Sequence, residues 1–389
     1  MNGWGWPGTS SAGDSEHRCP LTREPGLNYR GWTMKNTTHF GVSLSAIILL
    51  LITGCAEVEF RIGSPRNVRG GKAAAENAGM GKIIRLDPRF DELVPKGAVI
   101  EKLAGGFAWS EGPVWLPNEK AVLFSDIPNN RVMRWKDGEG LSIYLRPAGY
   151  TGKKARGGET GSNGLLLDPA GNLVLCQHGD RRVSRLRKDW SFEPLATHYG
   201  GKRLNSPNDA IFHSNGDLYF TDPPYGLERR MDDPAKELDF QGVYRLPKGA
   251  SDPILLTKDV TRPNGIGFSP DEKTLYVASS DTEKAIWMVY DVQDDGSIAN
   301  GKIFFDSTAW FKEGRPGLPD GLKVDQKGNI FATGPGGVLV FAPDGTHLGT
   351  IETDQKTANC GFGDDGSVLY MTADMFFCRI KLNTKGLGF

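Results

Sequence analysis

Glu111-Gly112-Pro113-Val114-Trp115 is the first statement of a phrase that the chain writes six times. An acidic or amide residue is followed by a small residue, an apolar strand, a Gly-containing or charged turn, and a second apolar strand. The later copies are Asn163-Gly164-Leu165-Leu166-Leu167, Asn208-Asp209-Ala210-Ile211-Phe212, Asn264-Gly265-Ile266-Gly267-Phe268, Asp320-Gly321-Leu322-Lys323-Val324 and the shorter Asn359-Cys360-Gly361-Phe362. Their heads are separated by 52, 45, 56, 56 and 39 residues. A repeat of that length carrying four strand signals is the unit of a β-propeller blade.

The first unit shows all four strands: Val114–Pro117, Ala121–Asp126, Arg131–Lys136 and Leu141–Arg146, each short, aromatic or β-branched and bounded by turn residues. The sixth has three, Gly361–Gly363, Val368–Ala373 and Phe376–Leu382. Ala98–Ala104, ahead of the first unit, belongs to no hairpin there and supplies the missing strand. The sequence therefore predicts an all-β, six-bladed propeller with four-stranded blades, closed by an N-terminal strand that completes the last blade. Closure removes the exposed sheet edge. An open solenoid, the other home for six β repeats, needs polar caps and a shorter repeat.

Composition agrees. Gly 51 and Pro 24 in 389 residues suit many short strands and tight turns. Lys+Arg 46 against Asp+Glu 47 gives a net charge of -1, with no basic stripe, which argues against a nucleic-acid partner. Residues 1–33 carry Trp, Gly and Pro without period and read as disordered, or as an extension ahead of the true start at Met34. Residues 34–54 read as an export signal: a short head with Lys35, an apolar stretch Phe40–Ile52, and the lipobox-like Leu51-Ile52-Thr53-Gly54-Cys55. The expectation is cleavage before Cys55, lipid on that cysteine, and a periplasmic or cell-surface lipoprotein; an ordinary secreted protein is the alternative. Residues 55–80 are then a tether and 81–389 the propeller, a monomer touching membrane only through its anchor. Cys176, Cys360 and Cys378 form an odd set that supports no disulfide framework.

In a propeller the first strand of each blade lines the central channel, so the heads of the six phrases stand at equivalent places around it. They are Glu111, Asn163, Asn208, Asn264, Asp320 and Asn359: two carboxylates and four amides. A hard divalent cation takes several oxygen ligands with enough negative charge to offset its own. One such ion is expected, Ca²⁺ first, with Mn²⁺, Mg²⁺ or Zn²⁺ as alternatives; a site without His or thiolate is not a dedicated zinc or copper site. Taken singly, Asn-Gly and Asp-Gly are ordinary turn dipeptides. The loops after each second strand should rim the pocket, which brings in His178 and, after two prolines, Tyr225 as a wall or lid of the substrate site.

Ser110-Glu111-Gly112-Pro113-Val114-Trp115, Asn205-Ser206-Pro207-Asn208-Asp209, Arg262-Pro263-Asn264-Gly265 and Leu318-Pro319-Asp320-Gly321 together resemble the SMP-30/gluconolactonase/LRE-like family. Thr221-Asp222-Pro223-Pro224-Tyr225-Gly226 looks like its bacterial gluconolactonase branch. The resemblance runs from about Ile83 to Leu382. It implies a six-bladed propeller that binds one divalent metal and hydrolyses sugar lactones. It puts metal ligands at Glu111, Asn264 and Asp320, and an Asn-Asp pair contacting substrate or a metal-bound water at Asn208 and Asp209. Animal members have Arg two residues ahead of that Asn, where this chain has Ser206, so their substrate preference is not carried over. A lactone carbonyl gains charge as water attacks, and a divalent ion can polarise it or activate the water. Asp320 and His178 are the two candidate proton acceptors. No Gly-x-Ser-x-Gly elbow points to a serine esterase. A non-catalytic surface-binding propeller and a paraoxonase-like metal-dependent esterase are the rival readings.

Overall fold

The structure, a computed structural model, describes residues 79–389. The expected extension 1–33, export signal 34–54 and nearly all of the tether 55–80 lie outside the described residues.

Ala121–Asp126 is buried at every position, and the reason generates the architecture. Side chains alternate across a strand; here Val122 and Phe124 pack with Tyr370 and Phe377 on one side, while Leu123 packs with Leu165 and Leu175 on the other. A sheet apolar on both faces needs a sheet against each face, and six such sheets satisfy one another by closing into a ring. The described residues hold six hydrophobic clusters, one at each junction between neighbouring blades.

Blade 1 is Ser110–Leu116, Ala121–Asp126, Arg131–Lys136 and Gly140–Leu145. Blade 2 is Ser162–Leu167, Leu173–Gln177, Arg182–Leu186 and Phe192–Ala196, and blade 3 is Ala210–Phe212, Leu218–Asp222, Gly242–Leu246 and Ile254–Thr257. Blade 4 comprises Pro263–Phe268, Thr274–Asp281, Lys284–Val292 and Ile298–Asp306. Each is an antiparallel meander in sequence order. Blade 6 is Thr357–Gly363, Val368–Ala373 and Phe376–Lys381, completed by Glu101–Gly105 from the front of the domain. The closing strand registers Glu101 with Arg379 and Gly105 with Phe376, as its unpaired apolar pattern predicts.

Blade 5 departs from the expected four strands. Beyond Leu322–Val324, Ile330–Gly334, Gly337–Phe341 and His347–Glu352 it carries a fifth, outermost strand, Lys82–Arg85, paired Lys82 to Glu352 and Arg85 to Gly349. The short helix Phe90–Leu93 links this strand toward the closing one and buries Phe90 and Leu93 in the cluster between blades 5 and 6. Met80 N–H already donates to the Ile100 carbonyl at 3.0 Å, so the propeller engages the chain just ahead of residue 81. Cys176, Cys360 and Cys378 are buried free thiols.

Around the axis the inner strands meet through glycines. A Cβ at Gly164 would sit 2.7 Å from the Asn208 carbonyl oxygen, and one at Gly265 would collide with the Asp320 carbonyl. Residues with side chains at these places would force the blades apart.

Candidate active site

Glu111, Asn163, Asn264 and Asn359 lie on inner strands, and Asn208 and Asp320 lie two residues ahead of theirs; none sits in a turn. Glu111, Asn163 and Asn264 sit where the strand slips register by one residue: Glu111 faces Ser125 but Val114 faces Leu123, Ser162 faces Gln177 but Leu165 faces Leu175, and Pro263 faces Ser279 but Ile266 faces Val277. These are β-bulges, which bend a strand locally and re-aim its side chains. Three of the donor-Gly dipeptides that look like turns in the sequence, Glu111-Gly112, Asn163-Gly164 and Asn264-Gly265, are bulges at the channel; Asp320-Gly321 lies just ahead of its strand.

A cavity of about 510 Å³ opens over them, its wall including Glu111, Asn163, Asn208, Asn264 and Asp320. Oδ1 of Asn163, Asn208, Asn264 and Asp320 is buried in each case without a hydrogen-bond partner. Orphaned buried oxygens are costly, and four of them converge here. The sixth head differs. Asn359 Nδ2 donates to Glu111 Oε2 at 3.1 Å and its Oδ1 accepts from Cys360 N–H at 2.9 Å. Asn359 thus offers the channel no oxygen; it holds Glu111, which corrects the expectation of six equivalent donors.

The carboxylates are under electrostatic stress. Burial pushes Glu111 up to about 8 from 4.5, aided by the negative charges of Asp209 and Glu159 and opposed by the Gly112 N–H and the Asn359 amide. Burial also raises Asp320 well above the ordinary carboxylate range, with Glu111, Glu159 and Asp209 adding to it. Buried, mutually repelling carboxylates beside orphaned amide oxygens suit a hard cation, which offsets the charge and accepts the lone pairs. Among the described residues no three His, Cys, Asp or Glu side chains form a metal-holding group; the donor set is two carboxylates plus amides.

The Asn205–Asp209 loop is clamped from two sides. Arg181 Nε donates to the Leu204 and Asn205 carbonyls at 2.8 and 3.1 Å, and Asp222 accepts the N–H groups of Asn205 and Ser206 at 2.7 and 2.8 Å. Burial lifts Asp222 to about 7 against those donors. Ser206 Oγ donates to the Pro223 carbonyl at 2.6 Å and accepts from Gly226 N–H at 2.8 Å, lacing this loop to the Asp222–Gly226 loop. The position that carries Arg in animal relatives is here a stitch between loops.

Tyr225 stands in the cavity wall, with the Arg230 guanidinium 5.8 Å from its ring centroid. Asp209 does not reach the wall: its Oδ1 accepts from Ala210 N–H at 2.9 Å and its Oδ2 has no partner. His178 is fully buried one layer behind the wall, with Nδ1 2.9 Å from Glu159 Oε2 and Nε2 3.5 Å from Asn208 Nδ2. Sequence reasoning missed Glu159, which lies in the wall. It sits in the long connection between blades 1 and 2, where no repeat marks it.

Fold and site define the class: a six-bladed β-propeller whose inner strands surround an oxygen-lined, partly anionic cavity. The SMP-30/Gluconolactonase/LRE-like region profile matches residues 109–374, and the chain belongs to this family. It is 38% identical to a gluconolactonase of Zymomonas mobilis over 330 residues, 82% of this chain and 92% of that one. It is 27% identical to a pentonolactonase of Haloferax volcanii over 270 residues, 67% of this chain and 80% of that one. Among solved structures it resembles a gluconolactonase from Xanthomonas campestris, at TM-score 0.67 and 30% identity, covering 78% of this chain and 96% of that one.

Proposed function

We propose that the chain is a divalent-metal-dependent lactonase that opens sugar lactones. The observation that carries the reading is the convergence of four partnerless side-chain oxygens and the Glu111 carboxylate on one cavity. Gluconolactonase and pentonolactonase activity in the relatives supports the substrate class.

Glu111, Asn208, Asn264 and Asp320 hold the ion, and Ca²⁺ suits an all-oxygen set best. Bound there, a divalent cation supplies Lewis-acid polarisation of the lactone carbonyl. The remaining work belongs to the chain. Tyr225 provides an apolar face against the sugar ring, and the clamped Asn208 fixes the lactone's orientation, with Asp209 buttressing that loop. Asp320 accepts the proton of the attacking water as its oxygen bonds to the carbonyl carbon. It returns that proton to the ring oxygen as the acyl C–O bond breaks, leaving an aldonic acid whose carboxyl then releases its proton to water to give the aldonate. His178 lies one layer behind the cavity with both nitrogens turned to the wall residues Glu159 and Asn208, which favours Asp320 as the acceptor.

The test is turnover of glucono-1,5-lactone by metal-stripped and re-metallated protein. Activity that vanishes on stripping and returns with Ca²⁺ or Mn²⁺ supports the reading; full turnover by well-stripped protein overturns it. We also propose export and lipid attachment at Cys55, on the strength of Leu51–Cys55 alone.

A further inference from the structure

Two of the ring amides are held from behind in the same way, and we infer that Ser280 and His178 are positioning residues that turn the oxygens of Asn264 and Asn208 into the cavity. The inference rests on the reading of the ring as a cation site.

A carboxamide has a donating end and an accepting end of nearly equal size. Nothing in an asparagine at these positions decides which end faces inward; the partner behind it decides. Ser280 Oγ lies 2.6 Å from the Pro319 carbonyl oxygen. A carbonyl only accepts, so the hydroxyl hydrogen is committed there and the Ser280 lone pairs face Asn264 Nδ2 at 2.8 Å. The NH₂ end of Asn264 is thereby tied back, and Oδ1 is the atom left partnerless in the wall. His178 repeats the device with different chemistry. Glu159 Oε2 accepts at 2.9 Å, so the hydrogen of that contact sits on Nδ1, and in the neutral imidazole Nε2 is then the bare acceptor toward Asn208 Nδ2 at 3.5 Å. Asn208 Oδ1 is again the partnerless atom.

Asn359 supplies the contrast. There a backbone donor, Cys360 N–H, takes the oxygen, and the NH₂ end turns toward Glu111. Orientation around the ring thus follows the partner. An acceptor whose own hydrogen is already committed gives an oxygen-forward amide, and a donor gives the reverse. The contact behind Asn264 is the shorter, so Ser280 holds its amide more firmly than His178 holds Asn208.

A double-mutant cycle read by calorimetric titration with Mn²⁺ tests this. Ser280→Ala should weaken Mn²⁺ binding about tenfold, the worth of one hydrogen bond, and Ser280→Thr should restore it. In an Asn264→Asp background both ends are oxygen and orientation no longer matters, so adding Ser280→Ala should cost less than about twofold. His178→Phe should behave alike, harmful beside Asn208 and nearly silent beside Asn208→Asp. Melting curves check that each variant folds; if His178→Phe does not, the Ser280 cycle decides. An equal loss in both backgrounds, or no loss beside Asn264, overturns the positioning role while leaving the cation site standing. A wild-type protein that binds no Mn²⁺ overturns the cation site itself, and this inference with it.

Discussion

Replacing Glu111 by Gln should make the metal-free protein more stable, and increasingly so as the pH rises. Glu111 titrates near 4.5 in an unfolded chain and is pushed up to about 8 in the folded protein. Between those values the native state keeps a proton that the unfolded chain has released. Stability therefore falls with rising pH, by about 1.4 kcal/mol per unit for this one group. From about pH 5 to about pH 8 that comes to about 4 kcal/mol, a large part of the 5–15 kcal/mol that holds a typical domain together. Glu111→Gln keeps an oxygen to accept the Gly112 N–H and removes the titration. It also removes one of the charges that raise Asp320, so the wild-type and variant pH slopes should differ by at least this amount. The assay is urea denaturation of stripped protein at several pH values, repeated with Ca²⁺. The ion should recover wild-type stability at high pH, by about 2.7 kcal/mol at a hundredfold excess over its Kd, and leave Glu111→Gln almost unmoved. Parallel pH slopes for the two stripped proteins would refute the reasoning, because the carboxylate would then carry no burial penalty for a cation to relieve.

Asp320→Ala and Glu111→Ala should each abolish Ca²⁺ binding and lactone turnover while far-UV circular dichroism stays that of the folded propeller; unchanged calorimetric affinity in both removes the cation site. Phe124→Ala should cost about 3–5 kcal/mol in denaturant titration, since Phe124 is fully buried and its ring stacks on Phe377 at 4.3 Å between centroids, across the junction of blades 1 and 6. Asp222→Ala should lower lactone turnover more than it lowers Ca²⁺ affinity, because it loosens the Asn205–Asn208 loop and leaves Glu111 and Asp320 in place; equal effects on both count against the clamp. Mass spectrometry of the native N-terminus should find Cys55 carrying acyl chains, and an unmodified Cys55 excludes the anchor.

The fold was legible because each inner strand opens with the same kind of residue, and a period of that kind survives any uncertainty about single strand ends. The closing strand was legible too, since Ala98–Ala104 had nowhere else to go; the structure trims it to Glu101–Gly105. Lys82–Arg85 was not, because a four-residue strand with no adjacent turn points to no partner, and its partner His347–Glu352 lies far along the chain. The ring residues could be listed from sequence, but not which way their amides face. That depends on Ser280, His178 and the Cys360 N–H, whose places are set by neighbouring strands. Dipeptides such as Asn163-Gly164 serve turns and bulges equally well by composition; only the opposing strand's register tells them apart.

Blade 6 takes its outermost strand, Glu101–Gly105, from the front of the domain and its neighbour, Phe376–Lys381, from the very end. Consider the molecule while it is being made. Five blades can condense in turn as they emerge, each on the one before, but Glu111 and Asn359 meet only after the sixth has joined the first. Such distant pairing is slow, on the scale of milliseconds to seconds. Until it happens, blade 1 presents a bare apolar face and Glu101–Gly105 an open edge, the kind of surface that draws in other chains. A nascent chain that stalls anywhere short of Phe376 is therefore not a weaker enzyme but an aggregation hazard, and quality control has only to recognise an unclosed ring.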